Sequence, residues 1–333
     1  MRYLITGGCG FSGSHLVEHI IRNSTDDEII VLDKLTYASH GLDRLRCSNA
    51  FDNHRVSVYT YDIAHSLSKG LVYEFGDIDI IIHTAASTHV DESISNPVET
   101  IHNNVMSTVT MLEYARTLKN LKCFMFLSTD EVVGPMIDHK FVETDPLKPA
   151  NPYSASKAAC ESICLSYLNT YKVPVMIVRS MNMIGEMQNT EKFLPMVIKC
   201  IQNDKEIPIH TDDECKVVGS RFYLHARTMC NALLFLLEKG NIGEIYHVAG
   251  EREVSNLELV EMVGKIMGKI PKYRLTGDIT NRPGHDLKYG LDDSKIKALG
   301  WKHPVSFEQS LKKTVEWTLK NSKWLDWSFF NDP

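Results

Sequence analysis

The sequence predicts an α/β protein, a doubly wound parallel sheet carrying a smaller, partly interleaved C-terminal substrate domain. Three observations lead there. Short apolar, β-rich runs alternate with amphipathic stretches of helix length through the first half of the chain, which is the rhythm of βαβ units. Runs such as Ile78-Asp79-Ile80-Ile81-Ile82-His83 and Cys123-Phe124-Met125-Phe126-Leu127 do not alternate apolar with polar, as suits strands buried on both faces. A glycine-rich turn, Gly7-Gly8-Cys9-Gly10-Phe11-Ser12-Gly13, stands between the first strand pattern and the first helix pattern.

Taken in order, strands are expected near 2–6, 28–33, 55–60, 79–84, 122–128 and 174–180, with helices near 11–23, 64–75, 97–119 and 153–171. Beyond residue 180 the pattern loosens into longer loops punctuated by Pro195, Pro208, Pro271, Pro283 and Pro304, with helices near 191–203, 226–239, 256–268 and 307–320. The domain reading is therefore a cofactor-binding unit over 1–180, joined by about 222–245, and a substrate unit over most of 181–333. With no repeat and no flexible linker, the two are expected to close over one cleft. The aromatic tail at 320–327 reads as packing for the last helix.

At 333 residues the chain can bury a large core, and its 43% hydrophobic and 23% charged composition is ordinary for a soluble enzyme. A net charge of −6 gives no reason to expect nucleic acid or an anionic membrane, so any anionic ligand must be held by local groups. No run of eighteen apolar residues exists, and the chain opens on a strand pattern without a signal-peptide core, so a cytoplasmic location is expected. The eight cysteines lie mostly in apolar runs and read as reduced packing residues. Cys160 and Cys164 share a helix face, but no second pair at ligand spacing accompanies them, so no metal is expected.

The glycine turn defines a Rossmann-type dinucleotide site. Gly7, Gly10 and Gly13 permit a tight turn, and with Phe11 and Ser12 they bring a pyrophosphate against the amides of a helix N-terminus. Asp33 lies 20 residues after Gly13 at the end of the second strand, where a carboxylate accepts both ribose hydroxyls of NAD and repels a 2′-phosphate. Lys34 beside it blurs that choice, but NAD is favoured over NADP. Asp62 and Ile63, after the third strand, either meet the adenine edge or form an ordinary solvated loop. Ala85 and Ala86 beyond the fourth strand, and Asn104 on the helix that follows, are the remaining cofactor candidates.

Beyond the fifth strand comes Ser128-Thr129-Asp130-Glu131, and Tyr153 follows Glu131 by 22 residues, at the head of Tyr153-Ser-Ala-Ser-Lys157. Asn151-Pro152 should start a helix, which sets Lys157 one turn from Tyr153 on the same face. There Lys157 can bond the nicotinamide ribose while its charge, with that of the oxidised ring, lowers the phenol pKa, so that Tyr153 takes a hydroxyl proton. A helix-terminal Tyr with an exposed Lys is the plainer alternative, but the upstream glycine turn argues against it. Asp130 and Glu131 would point to opposite faces of a continuing strand, so both can meet one ligand only if the chain turns there, and Gly134-Pro135 makes a turn plausible. The competing reading of the pair is an exposed acidic turn.

These residues resemble the extended short-chain dehydrogenase/reductase family, and within it the nucleotide-diphosphate-glucose 4,6-dehydratases. The likeness runs nearly end to end, through Gly-Gly-x-Gly-Phe-x-Gly at 7–13, Leu-Asp-Lys-Leu-Thr-Tyr at 32–37, His-Val-Asp at 89–91, Ser-Thr-Asp-Glu-Val at 128–132, Asn-Pro-Tyr-Ser-Ala-Ser-Lys at 151–157, Glu-Lys-Phe at 191–193 and Arg-Pro-Gly-His-Asp at 282–286. The Asp-Glu pair is the discriminating feature, because epimerases and decarboxylases of the superfamily share the glycines and Tyr-x-x-x-Lys but lack it. The resemblance implies that Tyr153, assisted by Thr129, removes the proton of the glucose 4-hydroxyl as hydride passes to NAD; Glu131 then abstracts the C5 proton, and a protonated Asp130 gives its proton to the departing 6-hydroxyl before hydride returns to C6. Neighbouring carboxyls must then differ in pKa. NAD is regenerated each turnover and should stay tightly bound.

Matched positions further imply that Thr88 and Asn182 meet the hexose, that Lys192 and Phe193 lie beside the nucleotide, that Arg221 and Arg282 serve the diphosphate, and that His285 belongs to the substrate-binding residues. A homodimer through the helices near 97–119 and 153–171 is implied as well. Val133, Ser12, Ser87 and Met183-Ile184 depart from the usual family residues without removing a chemical group from the mechanism. The wording at 88–91 and 291–301 is closer to the dehydratase part of eukaryotic UDP-rhamnose synthases than to bacterial dTDP enzymes, which favours UDP-glucose over dTDP-glucose. The rival readings are a 4-epimerase or other nucleotide-sugar oxidoreductase of the same superfamily and, from another class, a non-catalytic NAD-sensing protein that has kept the fold.

Overall fold

Six parallel strands stand where the buried apolar runs predict them: β1 (Arg2–Thr6), β2 (Glu28–Asp33), β3 (Val56–Thr60), β4 (Ile80–His83), β5 (Cys123–Thr129) and β6 (Val175–Ser180). The structure, a computed structural model, describes residues 1–136, 139–212, 214–277 and 287–326. Among these a seventh strand, Ile245–Val248, pairs beside β6, and the sheet runs in the order Ile245–Val248, β6, β5, β4, β1, β2, β3. Every residue of β4, β5 and β6 is buried, which explains why their sequences do not alternate. Strand order reverses between β1 and its neighbours β2 and β4, so a crevice opens beyond their C-terminal ends.

The helices are α1 (Phe11–Asn23), α2 (Asp43–Cys47), α3 (Lys69–Phe75), α4 (Val90–Ser95), α5 (Pro97–Thr117), α6 (Pro152–Tyr171), α7 (Phe193–Gln202), α8 (Ala226–Lys239), α9 (Asn256–Met267), α10 (Ser294–Ala298) and α11 (Phe307–Lys320). On one face of the sheet α1 and α8 bury Leu16, Val17, Ile20, Leu233 and Leu236 against β1 and β2. On the other, α5 and α6 bury Met111, Leu112, Cys160 and Cys164 against Phe124, Phe126 and Ile177. A separate core joins α7, α9 and α11 through Val197, Ile201, Val260, Val263, Leu311 and Val315. All eight cysteines are free thiols.

The differences from expectation have local causes. The helix expected from residue 64 begins at Lys69, because the Ser68 side chain caps it by accepting the Leu71 N–H at 3.2 Å. Lys192 is the N-cap of α7 rather than a member of it, so that helix starts two residues later than expected. The seventh strand and the short helices α2, α4 and α10 carry too few residues to print a period. In the tail, Trp324 is buried and its ring lies 6.4 Å from that of Trp317 on α11, while Trp327 lies outside the described residues. No helix among the described residues is long and apolar enough to cross a membrane.

Candidate active site

A cavity of about 800 Å³ occupies the crevice, walled by the glycine turn, the ends of β2, β4, β5 and β6, the head of α6 and the loops around α7. Gly7 adopts φ +70°, a left-handed conformation that favours glycine, and its N–H donates to Leu32 O at 2.8 Å. A Cβ on Gly13 would lie 2.2 Å from Gly7 O, so only glycine lets α1 begin this close to the turn. The first turn of α1 carries no acidic residue and Gly10 offers no side-chain cap, so its amides stay available to an anion. Asp33 is buried; Oδ2 accepts the Cys9 N–H at 2.9 Å and Oδ1 the Leu35 N–H at 2.8 Å, which orients the carboxylate toward the cavity it lines. Burial raises its pKa, opposed by those two amides and by the Arg44 charge. A dinucleotide fits these residues: glycines and amides for a pyrophosphate, Asp33 for a ribose.

Lys34 Nζ donates to Asn103 Oδ1 at 2.7 Å and meets Asp62 Oδ2 at 3.4 Å, so its charge is taken up by neighbours. Asp62, Ile63, Ala85, Ala86, Phe11 and Ser12 all line the cavity. Asn104 does not. Its amide is consumed behind the wall, accepting the Ser87 N–H at 2.7 Å and donating to Ser87 O at 3.1 Å and Ser156 Oγ at 2.9 Å. Asn104 thus shapes the Ser87 loop and ties α5 to α6.

The bend demanded by the carboxylate pair is present. β5 stops at Thr129, and residues Asp130–Val133 form one 3-10 turn followed by Gly134 at φ +86°. Thr129 caps the turn, accepting the Glu131 N–H at 3.4 Å and donating from Oγ1 to Asp130 Oδ1 at 3.0 Å. Successive residues of such a turn do not alternate between faces, and both Asp130 and Glu131 line the cavity. Asp130 is 2% exposed, and among the described residues its Oδ2 has no hydrogen-bond partner. Burial first, then the neighbouring Glu131 charge, push its pKa up to about 7 from an ordinary 3.8, against a pull downward from Arg221. Glu131 Oε2 accepts from Asn151 Nδ2 at 3.1 Å.

Asn151 went unremarked in the sequence beyond its place before Pro152, yet it is doubly engaged. Its Oδ1 accepts the Ser154 N–H at 2.8 Å and Ser154 Oγ accepts the Asn151 N–H at 3.1 Å, a capping box that starts α6. The cap and the Glu131 bond together fix the head of α6 against the carboxylate turn. Tyr153 and Lys157 follow on the cavity wall, both buried.

The protein's own groups raise the Tyr153 phenol pKa, because burial dominates and Glu131 adds to it, while a hydrogen bond with Thr129 opposes them. The lowering expected with the charge of the oxidised ring is a separate contribution that acts against this one. Lys157 donates from Nζ to Leu127 O at 2.7 Å and sits 4.0 Å from the centre of the Phe126 ring, and burial lowers its own pKa. The ammonium is thus engaged by the end of β5, and the phenol is held neutral by its low-dielectric, anionic surroundings.

Thr88, Asn182, Lys192, Phe193 and Arg221 also contribute to the cavity wall. Asn182 Oδ1 is buried with no partner among the described residues. Arg221 donates from Nη1 to Ser220 O at 2.7 Å and Leu287 O at 2.6 Å, and its guanidinium lies 4.9 Å from the Tyr289 ring centre. Arg282 and His285 lie outside the described residues. No cluster of metal-ligating side chains occurs among the described residues.

A glycine turn feeding a dinucleotide crevice, with a Thr, a Tyr and a Lys converging on it, defines a short-chain dehydrogenase/reductase. The sequence matches the family model described as GDP-mannose 4,6 dehydratase over residues 4–314, and the chain belongs to that family. It is 35% identical over 350 residues to dTDP-glucose 4,6-dehydratase 1 of Escherichia coli K12, covering 98% of this chain and 95% of that one. It is 36% identical over 324 residues to a trifunctional UDP-glucose 4,6-dehydratase/UDP-4-keto-6-deoxy-D-glucose 3,5-epimerase/UDP-4-keto-L-rhamnose-reductase of Arabidopsis thaliana, covering 96% of this chain but only 47% of that protein, so the chain spans about half its length. Among solved structures, DesIV, a dTDP-glucose 4,6-dehydratase from Streptomyces venezuelae with NAD and TYD bound, superposes with a TM-score of 0.86 at 34% identity, covering 97% of this chain and 98% of that one. A UDP-glucuronic acid 4-epimerase from Bacillus cereus in complex with NAD reaches the same TM-score at 26% identity, covering 96% of this chain and 100% of that one.

Proposed function

We propose that this chain is an NAD-dependent nucleoside-diphosphate-glucose 4,6-dehydratase, a hydro-lyase that makes the 4-keto-6-deoxy sugar nucleotide. The observation that carries the reading is the carboxylate turn: a buried Asp130 with an oxygen unpartnered among the described residues, beside Glu131, in one cavity with Tyr153. An oxidation or an epimerisation at C4 needs no such pair, whereas elimination across C5 and C6 needs a base and an acid close together.

The glycine turn, Asp33 and Lys157 hold NAD, which when bound accepts the C4 hydride and returns it to C6. Tyr153, with Thr129 on its phenol, takes the proton of the 4-hydroxyl. The raised phenol pKa makes this step depend on the positive charge of Lys157 and of the bound oxidised ring being present together. The 4-ketone acidifies C5, whose proton Glu131 removes; Asn151 aims its carboxylate. Asp130 keeps its proton up to about pH 7, far above an ordinary carboxyl, and gives it to the 6-hydroxyl, which leaves as water. Thr88 and Asn182 are assigned to the hexose, Lys192 and Phe193 to the nucleotide, Arg221 with Arg282 to the diphosphate, and His285 to the substrate without a finer role.

We assign UDP-glucose ahead of dTDP-glucose, on the wording at 88–91 and 291–301. Residues 1–180 with about 222–245 are read as the cofactor unit and most of 181–333 as the sugar-nucleotide unit, acting in the cytoplasm. We also infer a homodimer through α5 and α6. It is supported by Val98, Ile101 and Met106, exposed on one broad side of α5, and by exposed Tyr171 at the end of α6. Sedimentation at micromolar concentration should give twice the chain mass, and a monomer would refute it.

The function is tested by incubating the purified protein with UDP-glucose and dTDP-glucose without added NAD. The keto sugar should appear as near-ultraviolet absorbance in alkali, and one solvent deuterium should enter at C5. Both sugars recovered unchanged from NAD-loaded protein would refute the reading, and C4 inversion without deuterium at C5 would replace it with an epimerase.

A further inference from the structure

Arg44, on α2, is the largest fully buried side chain among the described residues, with no exposed surface. Among the described residues no carboxylate pairs with it; its guanidinium donates to neutral oxygens instead. Nε reaches Met187 O at 3.0 Å, Nη1 reaches Ala38 O at 2.7 Å and Cys9 O at 3.4 Å, and Nη2 bonds Asn189 Oδ1. His40 Nε2 shares that Asn189 oxygen at 3.1 Å. The partners come from two parts of the site. Cys9 lies in the glycine turn and Ala38 in the loop after β2, whereas Met187 and Asn189 belong to the segment leading into Lys192 and Phe193. Ala38 and Asn189 both line the cavity.

A buried cation is costly unless every donor is satisfied, so a fork of this kind holds its acceptors in one arrangement. Two of them bear on function. Met187 stands at φ +63°, a left-handed conformation unusual for its side chain, which persists only where surroundings over-determine it. Cys9 accepts from Arg44 through its carbonyl and donates its own N–H, in the preceding peptide, to Asp33 Oδ2, so the same fork stands directly behind the ribose carboxylate.

We propose that Arg44 is a positioning residue that couples the two halves of the site, holding the glycine turn and Asp33 in register with the Met187–Asn189 segment so that cofactor and sugar nucleotide meet in one preformed cleft. The sugar-nucleotide part rests on the dehydratase reading; the cofactor part does not. Lysine cannot replace the fork, since its point charge cannot serve four acceptors spread around a plane.

The test uses NAD-loaded protein carrying Arg44→Lys, Asn189→Ala, or both. Arg44→Lys is expected to lose NAD on gel filtration and, with NAD resupplied, to raise KM for the nucleotide sugar about tenfold with kcat changed less than about threefold, the size of a typical coupling between sites. Asn189→Ala should keep its NAD and show the KM rise, and the double variant should have the KM of Arg44→Lys alone, because both remove one link. Multiplying KM effects in the double variant would overturn the proposal, since Asn189 would then act without Arg44. Folded Arg44→Lys with wild-type NAD retention and KM would overturn it too. If Arg44→Lys does not fold, Asn189→Ala decides: an unchanged KM refutes the coupling. A wild-type protein inactive on every nucleotide sugar would refute the dehydratase reading, while NAD retention and UDP binding by the same variants would still judge Arg44.

Discussion

Asp130 shows what a single residue can be made to do by its surroundings. Its carboxyl is fully buried, bonded through one oxygen to Thr129 and crowded by Glu131, which favours the neutral acid. A group whose folded pKa is about 7 and whose ordinary value is 3.8 is protonated when folded and ionised when unfolded between those limits. It therefore destabilises the fold progressively as pH rises from about 4 to about 7, and fully above. Asp130→Asn removes that penalty: its melting temperature should exceed the wild type's at pH 8, by a gain on the order of a few kcal/mol, and should match it near pH 4. The same variant should still oxidise C4, leaving persistent reduced-cofactor absorbance, but release no 6-deoxy product. In the wild type the acid form is lost as pH rises through about 7, so kcat for elimination should fall on that side, read by stopped-flow product formation. The pair itself was legible in the sequence because Asp130 and Glu131 stand directly beyond a buried apolar run, inside the Ser-Thr-Asp-Glu-Val segment that carries the family resemblance. The shift that the protein alone gives Tyr153 was not, since spacing reveals Lys157 one turn away but not that Leu127 O and Phe126 engage its ammonium.

Elements convert these residues into geometry. The 3-10 turn at Asp130–Val133 and the capping box at Asn151 are two short devices, and Asn151 belongs to both because it also holds Glu131. Asn151→Ala should cost about 1 kcal/mol of stability, the usual value of a lost N-cap, and should lower kcat more than KM, because the base loses its aim; thermal melting and steady-state kinetics check the two arms. Gly13→Ala, whose Cβ has 2.2 Å to Gly7 O, should yield protein without bound NAD by ultraviolet spectrum after purification. The sequence displayed the long elements because burial on both faces and helical periodicity are printed over many residues, as in β5 and α1. It did not display the Ile245–Val248 strand, whose four residues show no period and whose place is set by long-range partners, β6 first among them. The start of α3 was misplaced for a similar reason, as the Ser68 cap is a single-residue signal among other polar residues.

On the scale of the whole molecule, two cores on the faces of one sheet and a third around α7, α9 and α11 meet at the cavity, so the ligands themselves bridge separately packed parts. That arrangement was legible as one cleft between two units, because glycine turn, carboxylate pair and Tyr-x-x-x-Lys all fall at strand ends. The bridge at Arg44 was not legible, because its partners are carbonyls scattered over residues 9, 38, 187 and 189, and nothing in a sequence marks which carbonyl a buried guanidinium will find. A cofactor held by the glycine turn and Asp33 stabilises only the folded state, by about 2.7 kcal/mol when its free concentration is a hundred times its dissociation constant. Stripping NAD should therefore lower the melting temperature by several degrees, and adding it back should restore the transition in a concentration-dependent way. If Arg44 carries the register of the two halves, stripping NAD should also weaken UDP binding measured by calorimetry in the wild type, and this dependence should shrink in Arg44→Lys, because linkage between two ligands is reciprocal and vanishes with the element that transmits it. Equal UDP affinity in stripped and loaded wild-type protein would show instead that the cleft is rigid without its cofactor, and that the cores alone fix its shape.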